Sequence, residues 1–350
     1  MLSPLTLLIV TFNLFLGTMI TASSHHWLLA WAGLELNMLS ILVIIMQPKH
    51  PRAAEAAIKY FLVQSIASAV MMFSGTLNAM QTGQWDISQL TNKYANITLM
   101  LAMLMKIGAA PIYFWLPEVM QGTTMKTALI IATWQKIAPI TLLYMTFNNM
   151  PQKFMIILGT MSVIIGGLGG INQTQLRKLM AYSSLTNLGW TVMIFSMFPH
   201  TAVLNIATYI IMSIPTFFLM EKMMLKTLQN MTTAWTTSTT ANILLTLMFL
   251  SLSGLPPLTG FMPKLLILNE LVTQSLTLIA TTVAIFSLLN LFFYMRTTYI
   301  MTMTTPPSSS TIMTKWRHKP HYHKLLSTLI IVSLMNIPLL PTITAITTTI

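Results

Sequence analysis

Most of the chain is a succession of apolar runs about 20 residues long, separated by short polar or proline-rich breaks. A helix rises about 1.5 Å per residue, so such a run can cross the roughly 30 Å hydrocarbon layer of a bilayer. Of the residues, 55% are hydrophobic and only 7% are charged, against roughly 25% charged residues in an ordinary soluble domain. The sequence therefore predicts an all-α polytopic membrane protein and excludes a soluble globular one.

Eleven membrane spans can be marked off along the sequence, and counts of ten or twelve remain open alternatives. The ninth run is too long for one straight helix and contains GLPPLTGFMPK, so we expect a break inside it. The predicted spans fall near residues 2–21, 27–46, 53–79, 96–116, 124–146, 152–171, 176–198, 201–222, 240–275, 276–298 and 324–347.

The lysine and arginine residues are distributed unevenly between alternate loops. With eleven spans, thirteen of them fall on the side of the N-terminus and two, Lys93 and Lys153, fall on the other side. Basic residues of short loops mark the inner face of a membrane, so this bias supports the count and places the N-terminus on that face. The net charge of +12 is spread over these loops and forms no basic domain. We therefore predict no binding of nucleic acid.

Four ionisable residues lie within predicted spans and are candidates for a proton relay: Glu35, Lys106, Lys136 and Lys264. A charge at membrane depth costs about 2.5 to 3.5 kcal/mol even on the most lenient scale, and it persists where it faces the interior of the helix bundle for a purpose. Lys136 lies roughly 15 Å from either end of its span, whereas a lysine side chain reaches only about 6 Å. Lys136 therefore cannot reach the headgroups, and the same holds for Lys106. For Lys264, beside a broken span, and Glu35, about two turns from the end of its span, a position nearer the headgroups stays open.

Two predicted spans are interrupted by glycine and proline beside a lysine, in KIGAAPIYFWLP of the fourth span and GLPPLTGFMPK of the ninth. By the predicted topology these two spans run in opposite directions. Interrupted helices in oppositely oriented halves are typical of inverted-repeat transporters. We predict approximate repeats at 27–146 and 152–298 and a C-terminal helix at 324–347, all within a single transmembrane domain. The alternative is that the prolines only kink two packed helices.

The chain contains no cysteine, so it cannot form disulfides, thiolate metal sites or cysteine-ligated iron–sulfur clusters by itself. It also lacks a glycine-rich nucleotide-binding motif and a nucleophile triad. The segment HKPHYH at 318–323 could in principle hold a metal ion, but a basic segment beside a span more often attracts anionic lipid. We therefore expect neither a cofactor nor a metal to be bound by this chain.

Several sequence motifs, in this order, resemble the chain 2 family of mitochondrial NADH-ubiquinone oxidoreductase, respiratory complex I. They are EAAIKYFLVQS, MLMKIGAAPIYFWLPEV, WQKIAPITLL, LRKLMAYSSLTNLGW and SLSGLPPLTGFMPKL. The resemblance covers essentially the whole chain and implies the shortened, eleven-span form of a fourteen-span antiporter-like fold. It also implies a location in the mitochondrial inner membrane, with the N-terminus on the matrix side.

The resemblance further implies a non-redox, proton-translocating subunit of the enzyme. Its proton path would use Glu35 with Lys106, then Lys136, then Lys264, the four charges already selected from the spans. NADH, flavin, iron–sulfur clusters and ubiquinone would be bound by partner subunits. The implied partners are other membrane subunits of complex I, especially the antiporter-like chain 4 and the small chain 4L. Membrane lipids, with cardiolipin as one candidate, would also contact the chain.

One position departs from the antiporter-like pattern. Related subunits often carry histidine two residues before the glycine of AYSSxxHxG, whereas this chain has Asn187. Asparagine can orient water but cannot accept a proton, which argues against direct relay by the seventh span. Two other functions stay open at this point: a stand-alone cation/proton antiporter, and a purely structural subunit of the same complex.

Overall fold

The computed structural model describes residues 3–304 and 324–335, without the side chains of residues 236, 237, 324 and 325. Its regular elements within these ranges are α-helices and one 3-10 turn at Phe147–Asn149. The helices are α1 (Pro4–Ser23), α2 (Trp27–Ile45), α3 (Pro51–Thr82), α4 (Lys93–Ile107), α5 (Trp115–Gly122), α6 (Met125–Ala132), α7 (Trp134–Thr146), α8 (Gln152–Ile171), α9 (Leu176–Phe195), α10 (Pro199–Lys222), α11 (Leu228–Thr232), α12 (Ala234–Thr237), α13 (Thr239–Ser253), α14 (Phe261–Thr273), α15 (Thr277–Met303) and α16 (Lys324–Met335).

Every predicted span coincides with one helix or with two consecutive helices, apart from the end of the last span, which lies outside the described residues. Seven helical stretches of the described chain are long and apolar enough to cross a membrane by length and composition alone. The all-α polytopic membrane fold is thus confirmed. The predicted breaks in the fourth and ninth spans are present, between α4 and α5 and between α13 and α14.

The fifth predicted span, 124–146, also contains an interruption that was not predicted. The helix ends at Ala132, Thr133 departs from helical geometry with ψ −71°, and α7 begins at Trp134. No glycine accompanies this interruption. The other two breaks were predicted from glycine beside proline, so this one was not.

Contacts between loops are consistent with alternating helix directions. His26, before α2, forms an isolated antiparallel bridge with Asp86, after α3. Gln175, before α9, forms another with Thr227, after α10. In each case the eleven-span topology places both partners on the same side of the membrane. Which side faces the matrix stays a prediction from the basic residues.

The chain divides into two compact units, each with its own contacts. The first comprises Met1–Ser162 with Val192–Pro199, and the second Val163–Thr191 with His200–Ile350. The repeat boundaries 27–146 and 152–298 stay a sequence prediction.

In the second unit, the glycine-rich run at 166–170 brings α8 into close contact with two helices. A Cβ atom on Gly169 would lie 2.3 Å from Cε1 of Tyr182 on α9. A Cβ atom on Gly170 would lie 2.6 Å from Cε1 of Phe293 on α15. These distances are shorter than van der Waals contact, so only glycine permits this packing. The run is a helix-packing motif, as its composition indicates.

Candidate functional site

The first helix break ends α4 at Ile107, the residue after Lys106. Gly108 has the left-handed value φ 82°, and its N–H and that of Ala109 both donate to the carbonyl of Leu104, at 2.9 and 3.0 Å. Glycine is the residue that adopts this conformation without steric cost. The glycine in KIGAAP therefore stops the helix in mid-span and leaves the next carbonyls of α4 without helical donors.

Two neutral side chains donate hydrogen bonds to those carbonyls. Trp115 Nε1 donates to the Met105 carbonyl at 3.2 Å, and Gln64 Nε2 of α3 donates to the Lys106 carbonyl at 3.2 Å. Within hydrocarbon an unsatisfied backbone group is costly, so these bonds make the interruption tolerable. As a result, the broken end of α4 is satisfied without using the Lys106 ammonium.

Lys106 itself is buried, with 5% of its surface exposed, and lies in the last turn of α4. The C-terminal end of a helix carries partial negative charge, which favours a cation there. Glu35 on α2 is half-buried and lies close enough to Lys106 for an electrostatic interaction. Within the part of the chain that the structure describes, the two form no direct ion pair. Glu35 and Lys106 therefore lie close together, as predicted, without forming a direct ion pair.

Tyr60 of α3 and Gln135 of α7 form a polar pair between two helices of the first unit. Gln135 Nε2 donates to Tyr60 Oη at 2.7 Å, and Tyr60 interacts electrostatically with Glu35. The tyrosine ring is 1% exposed and stands edge-on to Trp115, with ring centroids 5.8 Å apart. These residues were not predicted from the sequence. An amide such as Gln64 or Gln135 inside an apolar span is the signal that could have found them.

Lys136 lies in the first turn of α7, next to the interruption at Thr133. Only 2% of its surface is exposed. Pro139 follows within the same helix and has no N–H, so it cannot donate to the carbonyl of residue 135. Lys136 is therefore a buried amine where the helical hydrogen bonding is disturbed on both sides of it.

The second break ends α13 at Ser253, and Gly254 again has a left-handed conformation, with φ 84°. Lys264 lies on the following helix, α14, and is 7% exposed. Its Nζ returns to the break and donates to the Ser253 carbonyl at 2.8 Å. A Cβ atom on Gly254 would lie 2.8 Å from that Nζ. Here the lysine itself satisfies the end of the broken helix, in contrast to Lys106.

Asn187 lies in a neutral polar region of the second unit. It is buried, its carbonyl accepts a hydrogen bond from Asn205 Nδ2 at 3.4 Å, and its own Nδ2 has no partner among the described residues. One turn earlier on the same helix, Ser183 lies beside the hydroxyl of Tyr294 on α15. Such groups can orient water, and none of them is a base at neutral pH.

The described residues contain no group of three or more His, Asp or Glu that could hold a metal ion. The HKPHYH segment at 318–323 lies outside the described residues.

Comparisons with known proteins give matches to one family along nearly the whole chain. The family model of the transmembrane part of NADH:quinone oxidoreductase and Mrp antiporters matches residues 24–290, and the model of the NADH dehydrogenase subunit 2 C-terminus matches residues 291–344. The chain is 50% identical over 344 residues to NADH-ubiquinone oxidoreductase chain 2 of Varanus melinus, covering 98% of this chain and 99% of the relative. The chain belongs to the NADH-ubiquinone oxidoreductase chain 2 family. The family resemblance inferred from its motifs is thereby confirmed.

More distant chain 2 relatives and solved structures give the same picture. The chain is 46% identical to chain 2 of Xenopus laevis, covering 97% of this chain and 99% of the relative. A chain of respiratory complex I from Thermus thermophilus with bound aureothin has a TM-score of 0.82 at 21% identity, covering 98% of this chain and 80% of that one. A chain of the Mrp complex from a Dietzia species has a TM-score of 0.76 at 14% identity, covering 85% and 61%. These two structures share the fold of the chain 2 family member.

Proposed function

We propose that this chain 2 family member is the non-redox, proton-translocating membrane subunit of NADH:ubiquinone oxidoreductase, complex I. Partner subunits transfer electrons from NADH to ubiquinone, and this chain moves protons across the inner mitochondrial membrane. It contributes membrane helices and ionisable side chains to the enzyme. Electron carriers belong to the partners, because a chain without cysteine cannot ligate an iron–sulfur cluster through thiolates.

The observation that carries this proposal is the relationship between Glu35 and Lys106. A buried amine is stabilised in its protonated form by a nearby carboxylate and in its neutral form by desolvation. The two side chains interact without a direct ion pair, so a small movement of either one changes their interaction strongly. The pair therefore works as a switch: Lys106 takes up a proton when Glu35 approaches and releases it when Glu35 withdraws.

Lys136 and Lys264 extend the proposed path beyond this pair. Both are buried, and each lies beside an interrupted helix. Interrupted backbone within a membrane protein can line a cavity that holds water. A proton passes from Lys106 to Lys136 and on to Lys264 through water. Each transfer changes the field at the next site. Lysine suits this role because it can lose its proton, which a guanidinium cannot.

The proposal includes the location and partners that the family resemblance implies. The N-terminus and the basic loops face the matrix, in keeping with the inner location of basic residues. The repeats 27–146 and 152–298 form the two halves of the antiporter-like fold. Chain 4 and chain 4L are neighbours in the membrane. Anionic lipid, with cardiolipin as a candidate, contacts the basic loops.

The test is a Lys106→Ala variant in the assembled complex, reconstituted into sealed vesicles, with protons pumped per electron as the measurement. The ratio is expected to fall, and Lys106→Arg is expected not to restore it, because arginine keeps its proton. Lys93→Ala is the matched control, since Lys93 is exposed at the start of α4. An assembled Lys106→Ala complex with the normal ratio would assign this chain a structural role. Proton-driven cation exchange by the isolated chain would instead favour a stand-alone antiporter.

A further inference from the structure

The loop between the two halves of the ninth span, residues 254–260, lies against the end of α13. The carbonyl of Ser253, just before the loop, accepts the hydrogen bond from Lys264 Nζ at 2.8 Å. At the other end of the loop, a Cβ atom on Gly260 would overlap the carbonyl oxygen of Ser251. The loop therefore closes back on itself, and α14 begins beside the last turn of α13.

A further contact joins this loop to α16, the last helix that the structure describes. Thr259 Oγ1 lies 2.8 Å from the backbone carbonyl oxygen of Ser333 on α16 and 3.3 Å from Sδ of Met212 on α10. A hydroxyl has one hydrogen to donate, and a carbonyl oxygen is a stronger acceptor than a thioether sulfur. The Thr259 hydroxyl therefore donates to the Ser333 carbonyl, across 74 positions of sequence.

Most threonine hydroxyls in the described helices donate to a carbonyl three or four residues earlier in the same helix. Thr216 of α10 is an example, with a bond of 2.7 Å to the Ser213 carbonyl. Such a bond connects no two segments. The bond from Thr259 does, and both its partners are buried, with 1% of Thr259 and 0% of Ser333 exposed. Because bulk water cannot replace this bond, it fixes the loop on α16.

The two polar groups of Ser333 have different partners. Its own hydroxyl donates to the Ile330 carbonyl of the same helix at 2.8 Å and lies 3.4 Å from Sδ of Met248 on α13. Its carbonyl is the group that receives Thr259. The contact between the loop and α16 thus depends on a threonine side chain and on a backbone oxygen, so it can be removed from the threonine side alone.

Thr259 stands where it can set the position of Lys264. It lies two residues before the first residue of α14, Phe261, and Lys264 is the fourth residue of that helix. Lys264 has to reach back across the break to donate to the Ser253 carbonyl. A shift of the start of α14 would therefore move the amine away from this carbonyl.

We propose that Thr259 is a positioning residue: by docking the start of α14 on the Ser333 carbonyl of α16, it holds the Lys264 amine against the Ser253 carbonyl. The inference rests on the proposed function, in which Lys264 relays protons, and extends it to the C-terminal helix. α16 takes part through a backbone carbonyl and carries no proton at this contact.

The test is Thr259→Val in the intact complex, with the rate of proton pumping in sealed vesicles as the measurement. Valine keeps the branched shape and removes the hydroxyl. Hydrogen bonds between membrane helices are of modest strength, so we expect the rate to fall about threefold. Thr259→Ser retains the donor and is expected to pump at the wild-type rate. Normal pumping by Thr259→Val would overturn the inference, and so would a serine variant that pumps no better than the valine variant.

Two further variants separate this contact from a general need for buried hydroxyls. Thr216→Val is the matched control, because Thr216 is also buried and donates within its own helix. It is expected to leave the rate unchanged. Ser333→Ala removes a hydroxyl and keeps the carbonyl that accepts from Thr259, so it should lose far less pumping than Thr259→Val. A loss equal to that of Thr259→Val in either variant would overturn the inference.

A double-mutant cycle on thermal unfolding tests whether Thr259 acts through Lys264. Thr259→Val and Lys264→Met are measured singly and together. We expect the double variant to lose less melting temperature than the sum of the two separate losses, because the valine variant already weakens the lysine bond. Strictly additive losses would overturn the inference. Normal pumping by Lys264→Met would instead overturn the proposed function, whatever the cycle shows.

Thr259→Ala keeps the inference testable if Thr259→Val does not assemble. Alanine adds no bulk to the loop and has no donor, so the bond to the Ser333 carbonyl is lost in the same way. Pumping is expected to fall in the same direction. A wild-type rate in the alanine variant would contradict the role assigned to the hydroxyl.

Discussion

Lys264 Nζ donates a hydrogen bond of 2.8 Å to the carbonyl of Ser253, the last residue of the helix that precedes it. A helix that ends inside a membrane leaves carbonyls without donors, and here a lysine from the next helix supplies one. Lys264 therefore stabilises the break as well as being a candidate relay residue. Lys106 differs, because Gln64 and Trp115 close the first break in its place.

The two tasks of Lys264 can be separated by substitution. Lys264→Met leaves a buried carbonyl without a donor, which costs about 1 to 3 kcal/mol, so we expect lower thermal stability of the complex together with loss of pumping. Lys264→Arg is expected to recover stability and not pumping, because the guanidinium donates but keeps its proton. Thermal unfolding and proton pumping are measured on the same preparations. Full recovery of pumping in the arginine variant would contradict the relay role.

Gly254 and Gly83 form a matched pair for testing the contact between Gly254 and Lys264. Both have left-handed backbones, with φ 84° and 72°, and alanine should cost about 1 kcal/mol at either one for conformational reasons. Only at Gly254 would the added Cβ approach Lys264 Nζ, at 2.8 Å, whereas nothing lies within 4 Å of a Cβ on Gly83. We therefore expect Gly254→Ala to impair pumping and Gly83→Ala to affect only thermal stability. Equal behaviour of the two variants would be inconsistent with this contact.

Trp115→Phe tests how the first break is stabilised. The substitution removes the donor to the Met105 carbonyl and retains an aromatic ring against Tyr60. A buried carbonyl left unsatisfied is expected to lower the free energy of unfolding by about 1 to 3 kcal/mol. Trp85→Phe, at a half-exposed loop position, is the control for loss of an indole. Identical melting of the two variants would show that the Met105 bond contributes nothing.

Lys59 connects two helices at the predicted matrix side of the first unit. It pairs with Glu55, four residues earlier, as the spacing indicates, and also with Glu118 of α5 at 2.7 Å. All three side chains are exposed, so salt should screen their attraction. Lys59→Met is expected to lower the melting temperature slightly at low salt, with the difference vanishing at high salt and pumping unchanged. A loss that persists at high salt would require another explanation.

The two breaks beside Lys106 and Lys264 could be predicted because local chemistry determines them. Gly108 and Gly254 adopt conformations that other residues avoid, and nearby prolines prevent the helix from continuing. The interruption at Thr133 could not be predicted, because neither glycine nor proline stands there. Thr133 Oγ1 donates to the carbonyl of Leu129 at 2.7 Å, as threonines also do within unbroken helices.

The charged site, too, could be predicted only in part. Hydropathy alone identifies Lys106 and Lys136 as buried, because no lysine side chain is long enough to leave the middle of an apolar span. The hydrogen bonds of Gln135 and Gln64 could not be predicted from hydropathy. Gln135 bonds to Tyr60 across 75 positions of sequence, and Gln64 to the carbonyl of Lys106 across 42. Such pairings depend on which helices meet and at what rotation.

By itself, the sequence determined that this is a polytopic helical membrane chain, where its spans lie, and which four charges stand inside them. Those properties follow from the cost of exposing backbone and charge to hydrocarbon, which acts on each segment separately. Only the tertiary structure decided which groups satisfy each broken helix: a lysine at Ser253, and an amide and an indole at the end of α4. It also paired Gln135 with Tyr60, because hydrogen bonds between helices depend on distances that no local pattern records.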